Sequence, residues 1–372
     1  MIAHAERRKL RDGKVRWYAI YLAPDGRRTS EGGFETKRDA ERLAHRRAME
    51  IEGGTWVDPA RSRMTFAEYV DRYFWPTARH LELTTQAAYR SNLDRHFLPA
   101  FGDLPMRRIV ASVVQTWVNE VSEELSPASV VKYHTFLHSI FKRALIDRVV
   151  AYNPCDGTRL PKVVKKPKRA VTPEEFDALL AALPVRYQTL VLVAIETGMR
   201  WGELIALRPV DIDFPTHTVK VHRVILEISK KISPDGKRYV ERDYPKDDES
   251  REIQVSPDLC QLIREHMVAH GVRDDALLFA TQVGTPISRN TFRTRVWLPA
   301  LEAAGIKQKV RFHDLRGAHA SWLLAGGADL KVVMDRLGHR QIGTTQQYFG
   351  SLPDAGDRAL AAFRKIRFRT ES

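Results

Sequence analysis

Residues 159–169 read RLPKVVKKPKR, with six basic side chains, no acidic one and two prolines. Pro161 and Pro167 remove backbone donors and fix φ, so neither a helix nor a strand ladder runs through this stretch. Proline stiffness and mutual repulsion make it an extended spacer. The 372 residues suffice for two or three domains with cores of their own, and the spacer is where two of them part. A formal charge of +14 points to a polyanion as partner. A lysine or arginine beside a phosphate displaces counterions. That makes Arg159, Lys162, Lys165, Lys166, Lys168 and Arg169 candidate DNA contacts, with a merely solvated linker as the alternative. Two cysteines, Cys155 and Cys260, make neither a disulfide framework nor a metal cluster and suit a reducing cytoplasm. The first twenty residues hold no apolar h-region, and no run of 18 apolar residues exists, so neither a secretory signal nor a membrane span is expected.

Ahead of the spacer the pattern changes once. Val15 to Leu22 and Thr29 to Phe34 have strand composition around the turn signal Pro24-Asp25-Gly26. Thr36, with Asp39 three residues on, opens a helix carrying Ala40, Leu43 and Ala44 on one face. Residues 1–58 thus form a small α+β module, with Arg7, Arg8, Lys9, Arg11, Arg27 and Arg28 on or beside its sheet as candidate DNA contacts. Gly53-Gly54 and Asp58-Pro59 mark a hinge. Residues 64–152 then carry four helical stripes: Phe66 to Tyr73, a run after Thr84, one from Ala111, and the longest from Ser126. His134 lies in the last stripe, as a hydrogen-bonded core or interface histidine.

Beyond the spacer, Thr172, Pro173 and Glu175 form a helix start, and an apolar helix ends at Gly198. Arg200 follows at the start of the next helix, with Glu203 one turn on as a buttress or a simple i,i+3 partner. Thr218 to Ile225 and Arg251 to Val255 read as strands, with the turn signal Ser233-Pro-Asp-Gly between them, so Lys246 belongs on a β-loop. His313 and Arg316 open a further helix; Gly338 closes the next one, His339 emerges past it, and Tyr348 follows nine residues later. A tyrosine hydroxyl is a weak nucleophile until something activates it, and imidazoles and guanidinium forks are groups that hold a phosphate beside it.

The set Arg200, Lys246, His313, Arg316, His339 and Tyr348 resembles the catalytic set of the tyrosine recombinases, the phage-integrase family. The strings that carry the resemblance are Thr197-Gly-Met-Arg-Trp-Gly-Glu-Leu, His313-Asp-Leu-Arg316 and Leu337-Gly-His339 ahead of Tyr348. The likeness covers nearly the whole chain and is greatest to integrases of temperate phages or integrative elements. It implies a multidomain fold, mainly α with small β-sheets: an arm-type DNA-binding module over 1–58, a helical core-binding domain over 64–152, the basic linker 159–169, and a mixed α/β catalytic domain over 172–350. A tail over 351–372 has Ala355, Ala359, Leu360 and Phe363 on one helical face; its own domain could cover that face, and the resemblance favours docking in trans on a neighbouring protomer.

What the resemblance implies chemically is cleavage and rejoining of DNA through a 3′-phosphotyrosyl bond. Tyr348 would be the nucleophile and Arg200, Arg316 and His339 would hold the phosphate. His313 would take the phenolic proton, Lys246 would protonate the leaving oxygen, and Glu203 would support the set. No cofactor and no metal is implied. The family's lysine often precedes threonine or serine, whereas Lys246 precedes Asp247-Asp248-Glu249, which leaves Lys230, Lys231 and Lys237 as alternates. The implied partners are double-stranded DNA at core-type and arm-type sites, three further copies in a homotetramer, a host DNA-bending protein and an excision directionality factor. The implied place is the cytoplasm, on the bacterial chromosome or phage DNA. The alternative readings are a type IB-like topoisomerase and a non-catalytic DNA-binding regulator.

Overall fold

Three strands open the chain: β1 (Ala3–Lys9), β2 (Val15–Leu22) and β3 (Arg28–Phe34), paired antiparallel in that order. The register sets Glu6 opposite Tyr18 and Ile20 opposite Ser30, and it slips by one residue at Trp17/Tyr18. The Thr36 hydroxyl accepts from the Asp39 amide and starts α1 (Lys37–Glu52), whose Ala40 and Ala44 are fully buried. The computed structural model describes residues 3–164, 170–233, 235–244 and 250–338. The chain divides into two compact units, Met1–Val164 and Lys165–Ser372.

The segment that reads as a hinge is pinned in the structure. Trp56 is buried edge-on against Tyr21, with ring centroids 6.3 Å apart. Asp58 is buried too. Its amide donates to the Arg148 carbonyl at 2.8 Å, and its carboxylate takes Arg27 and the amides of Ala60 and Arg61.

Four helical runs follow, as the periodicity predicts, but two of them are not plain α-helices. α2 (Phe66–Tyr69) joins α3 (Trp75–Ala78) through a wide turn over Val70–Phe74, and α4 (Leu83–Asn92) joins α5 (Leu98–Phe101) through another over Leu93–Phe97. In each, the amide after the turn bonds to a carbonyl five residues back, Trp75 to Val70 and Leu98 to Leu93. The cause is the next residue, Pro76 or Pro99. Its ring has no donor and crowds the carbonyl four back, and widening the turn by one residue relieves both problems. α6 (Ala111–Glu124) and α7 (Pro127–Ile146) complete the group. Phe66, Phe97, Phe101, Leu137 and Phe141 make its core. His134 is buried there, with Nε2 3.2 Å from the Cys155 carbonyl.

The second unit begins with α8 (Pro173–Ala182), opened by a reciprocal Thr172–Glu175 capping box, and α9 (Val185–Thr197). After α10 (Trp201–Leu204) come two small sheets. β4 (Ile212–Asp213), β5 (Thr218–Val221) and β8 (Arg251–Gln254) form one; β6 (Arg223–Glu227) and β7 (Tyr239–Asp243) form the other. The sequence pattern predicts one strand over 218–225, but the ladder breaks at His222, whose Nε2 lies 2.9 Å from buried Asp211. α11 (Pro257–His270), α12 (Arg289–Phe292) and α13 (Leu298–Ala303) follow, the last two joined by a third wide turn ahead of Pro299. α14 (Asp314–Ala325) packs on α9, and α15 (Leu330–Leu337) packs on α14 and β8.

Candidate active site

Gly198 ends α9 in the left-handed region, at φ +65°. A Cβ there would stand 2.7 Å from the His319 ring and 2.8 Å from the Leu337 side chain, so only glycine lets α14 and α15 approach this close. The tight exit places Arg200 two residues later, as the cap of α10. Its amide donates to Glu203 Oε2 at 2.8 Å and its Nη1 to Oε1 at 3.0 Å. Glu203 is therefore a buttress in the structure, and it gathers more than Arg200. Arg251 pairs with both of its oxygens at 3.2 and 2.7 Å, and the Tyr244 hydroxyl donates to Oε1 at 3.2 Å. Glu203 as a whole residue is 1% exposed. Burial alone would raise its pKa; the hydrogen bonds from Arg251 and the charges of Arg251 and Arg200 overcome that and hold it at about 2.

Arg316, 3% exposed, spans two helix ends. Its Nη1 donates to the Gly198 carbonyl at 2.6 Å and its Nη2 donates to the Leu337 carbonyl, the last residue of α15. One turn earlier, His313 caps α14. Burial first, then the positive charge of Arg316, pushes its pKa below the ordinary histidine value, which favours the neutral ring that can take up a proton. An aromatic cluster packs around Phe312, the residue before His313: the Trp201 and Phe312 rings meet edge-on at 4.9 Å, Phe292 lies 5.0 Å from Trp201, and Trp297 Nε1 donates to the Val310 carbonyl at 3.0 Å.

Four of the expected site residues, Arg200, Glu203, His313 and Arg316, thus lie at the starts of α10 and α14, where Arg316 ties them to the ends of α9 and α15. Lys246, His339 and Tyr348 lie outside the described residues, as do Lys165, Lys166, Lys168, Arg169 and the tail over 351–372. The alternates Lys230, Lys231 and Lys237 sit in the β6–β7 turn, whereas Lys246 belongs in sequence to the separate connection between β7 and β8. Arg251, Tyr244 and His319 are not legible as site residues. His319 is buried beneath Gly198, its Nδ1 2.8 Å from the Ile195 carbonyl, and burial followed by the charge of Arg336 lowers its pKa to about 4. No local spacing signals Arg251, because its partner stands 48 residues away.

The basic residues of the first unit divide into two groups. Arg8 and Arg28 converge on Glu6, with Arg8 also 4.8 Å over the Tyr18 ring, and Arg27 is held 2.9 Å from both Asp25 and Asp58. Arg7, Lys9 and Arg11 are exposed and make no ion pair among the described residues. Arg159 and Lys162 are exposed, and the Arg159 amide donates to Gln115 at 2.9 Å.

The Phage integrase family profile matches residues 169–353, and the Phage integrase, N-terminal SAM-like domain profile matches 65–122. The prophage phiRv2 integrase of Mycobacterium tuberculosis H37Rv is 31% identical over 345 residues, 90% of this chain and 88% of that protein. The chain belongs to the phage integrase family. Another relative of this family member is the integrase of Mycobacterium phage L5, 28% identical over 359 residues, 93% of this chain and 90% of that one. Among solved structures, the Tn1549 transposon integrase in complex with a circular intermediate DNA shares the fold at a TM-score of 0.67 and 18% identity, covering 82% of this chain and 99% of its own. A lambda integrase tetramer bound to a Holliday junction does so at 0.58 and 20% identity, covering 89% and 92%. No helix among the described residues is long and apolar enough to cross a membrane.

Proposed function

We propose that the second unit of this phage integrase family member cuts and rejoins DNA at specific sites through a tyrosyl intermediate. The observation that carries the reading is that Arg316 holds the Gly198 carbonyl two residues before Arg200, with His313 one turn ahead of Arg316 and buried Glu203 behind Arg200. The Tyr348 oxygen attacks the scissile phosphorus, forming a P–O bond to tyrosine and breaking the bond to the 5′-oxygen. His313 accepts the phenolic proton and Lys246 supplies one to the departing 5′-oxygen. Arg200, Arg316 and His339 bind the non-bridging oxygens where charge grows in the transition state. The phosphotyrosyl bond conserves the energy of the broken one, so a 5′-hydroxyl from a second duplex reverses the step without ATP.

In this reading residues 1–58 bind arm-type DNA, 64–152 and the linker 159–169 hold the core site, and 172–350 carry the chemistry. Four protomers act on two duplexes, linked by tails over 351–372 that dock in trans. A host DNA-bending protein and a directionality factor would shape and time the assembly on the bacterial chromosome or phage DNA. The deciding experiment uses a nicked core duplex. Wild-type protein should give an SDS-resistant protein–DNA adduct, and Tyr348→Phe should bind the duplex but give none. Adducts surviving in the variant would remove Tyr348 as nucleophile, and binding without any wild-type adduct would favour a regulator.

A further inference from the structure

Arg251 opens β8 with its side chain 7% exposed. It is outside the six residues of the proposed reaction, yet its guanidinium works in two directions. One face forks onto both oxygens of Glu203. On the other side, Nε donates to the Arg336 carbonyl at 2.8 Å, in the last turn of α15. The next carbonyl along, Leu337, takes Arg316. The end of a helix leaves carbonyls without intrahelical partners and carries the negative end of the dipole, so two guanidinium groups are apt caps for it. Gly338 closes α15 at φ +65°, and a Cβ there would touch the Arg251 side chain at 3.4 Å, so the helix end lies directly on this residue.

Followed round, these contacts close a ring. Arg200 binds Glu203, Glu203 binds Arg251, Arg251 binds the end of α15, Arg316 binds the same end, and Arg316 also binds the Gly198 carbonyl, two residues before Arg200. We infer that Arg251 is a positioning residue that sets the separation of the two phosphate-holding arginines, by fixing the buttress of Arg200 to the helix end gripped by Arg316. The inference rests on the phosphate-holding roles proposed above for Arg200 and Arg316. A lysine cannot reproduce it, because one ammonium does not present the planar fork that meets both carboxylate oxygens and a carbonyl together.

The test compares full-length wild type with Arg251→Lys and Arg251→Met in single-turnover cleavage of a nicked core duplex. The lysine variant keeps a cation beside Glu203, which guards against collapse around an unpaired buried carboxylate. Two substrates are used: the natural phosphodiester, and a methylphosphonate at the scissile position, in which a methyl group removes the charge that the arginines neutralise. Cleavage of the phosphodiester should slow by about 100-fold in both variants, the scale of removing one preorganised oxyanion donor. Cleavage of the methylphosphonate should slow by only about 3-fold, because that charge is no longer there to be held. Equal slowing on both substrates would mean a merely structural role and would overturn the inference, as would wild-type rates. Arg200→Ala serves as the control. If the methylphosphonate relieves its defect but not that of the Arg251 variants, the ring inference alone fails. If it relieves neither, the phosphate-holding reading fails first.

Discussion

Replacing Glu203 by glutamine keeps the shape of the buttress and removes its charge. The carboxyl sits at about 2 in place of an ordinary 4.5. At about 1.4 kcal/mol per pKa unit, its ionised form contributes about 3 kcal/mol of stability at neutral pH. The sign follows from the lowered folded value. The contribution is complete above the unfolded pKa and is lost as pH falls toward 2, so it stays near 3 kcal/mol at pH 4.5 and drops to about 1 kcal/mol at pH 3. Burial leaves little room for solvent screening, since the side chain is 0% exposed. Urea titrations of wild type and Glu203→Gln at pH 7, 4.5 and 3, followed by tryptophan fluorescence, measure it as the difference in the transition that the substitution moves. A difference below about 1 kcal/mol at pH 7, or one that does not shrink between pH 4.5 and 3, would refute the claim that Arg251 and Arg200 hold an ionised carboxylate there.

Gly198→Ala should cost about 2–4 kcal/mol in the same titration, from left-handed backbone strain and from overpacking against His319 and Leu337. His319 has its pKa lowered from 6.5 to about 4, so wild type loses stability as pH falls from 6.5 toward 4, and His319→Gln should flatten part of that slope between pH 7 and 4.5; His266, also at about 4, and the other histidines lowered by burial, His313, His134 and His96, keep the remainder. On arm-type DNA, Arg7→Ala and Lys9→Ala should each lower the log K against log salt slope by roughly 0.9, while Arg27→Ala leaves it unchanged, because Arg27 is already held by Asp25 and Asp58. Neutralising Lys162, Lys165, Lys166, Lys168 and Arg169 together should lower the core-site slope by roughly 0.9 for each phosphate that the linker neutralises, read in a titration from low to moderate salt.

The sequence by itself determined the local features. Thr36 and Thr172 start helices through their own hydroxyls, Gly198 and Gly338 end them because a left-handed exit needs no Cβ, and the apolar stripes of 64–152 mark four helical runs. Arg200, Glu203, His313 and Arg316 were legible as well, since short strings carry them and the Arg200–Glu203 contact spans three residues. Tertiary structure alone decided what lies far apart along the chain. It breaks the strand expected over 218–225 at His222, where a histidine finds Asp211, and it pins the expected hinge by burying Trp56 and Asp58. It gives Arg27 two carboxylates and Arg7 no ion pair among the described residues, although both are only arginines in the sequence. It also recruits Arg251 to Glu203 across 48 residues. Caps, turns and periodicity depend on neighbours within a few residues, so they can be read from the chain; a buried ion pair depends on which groups folding removes from water together, and only the folded structure specifies that.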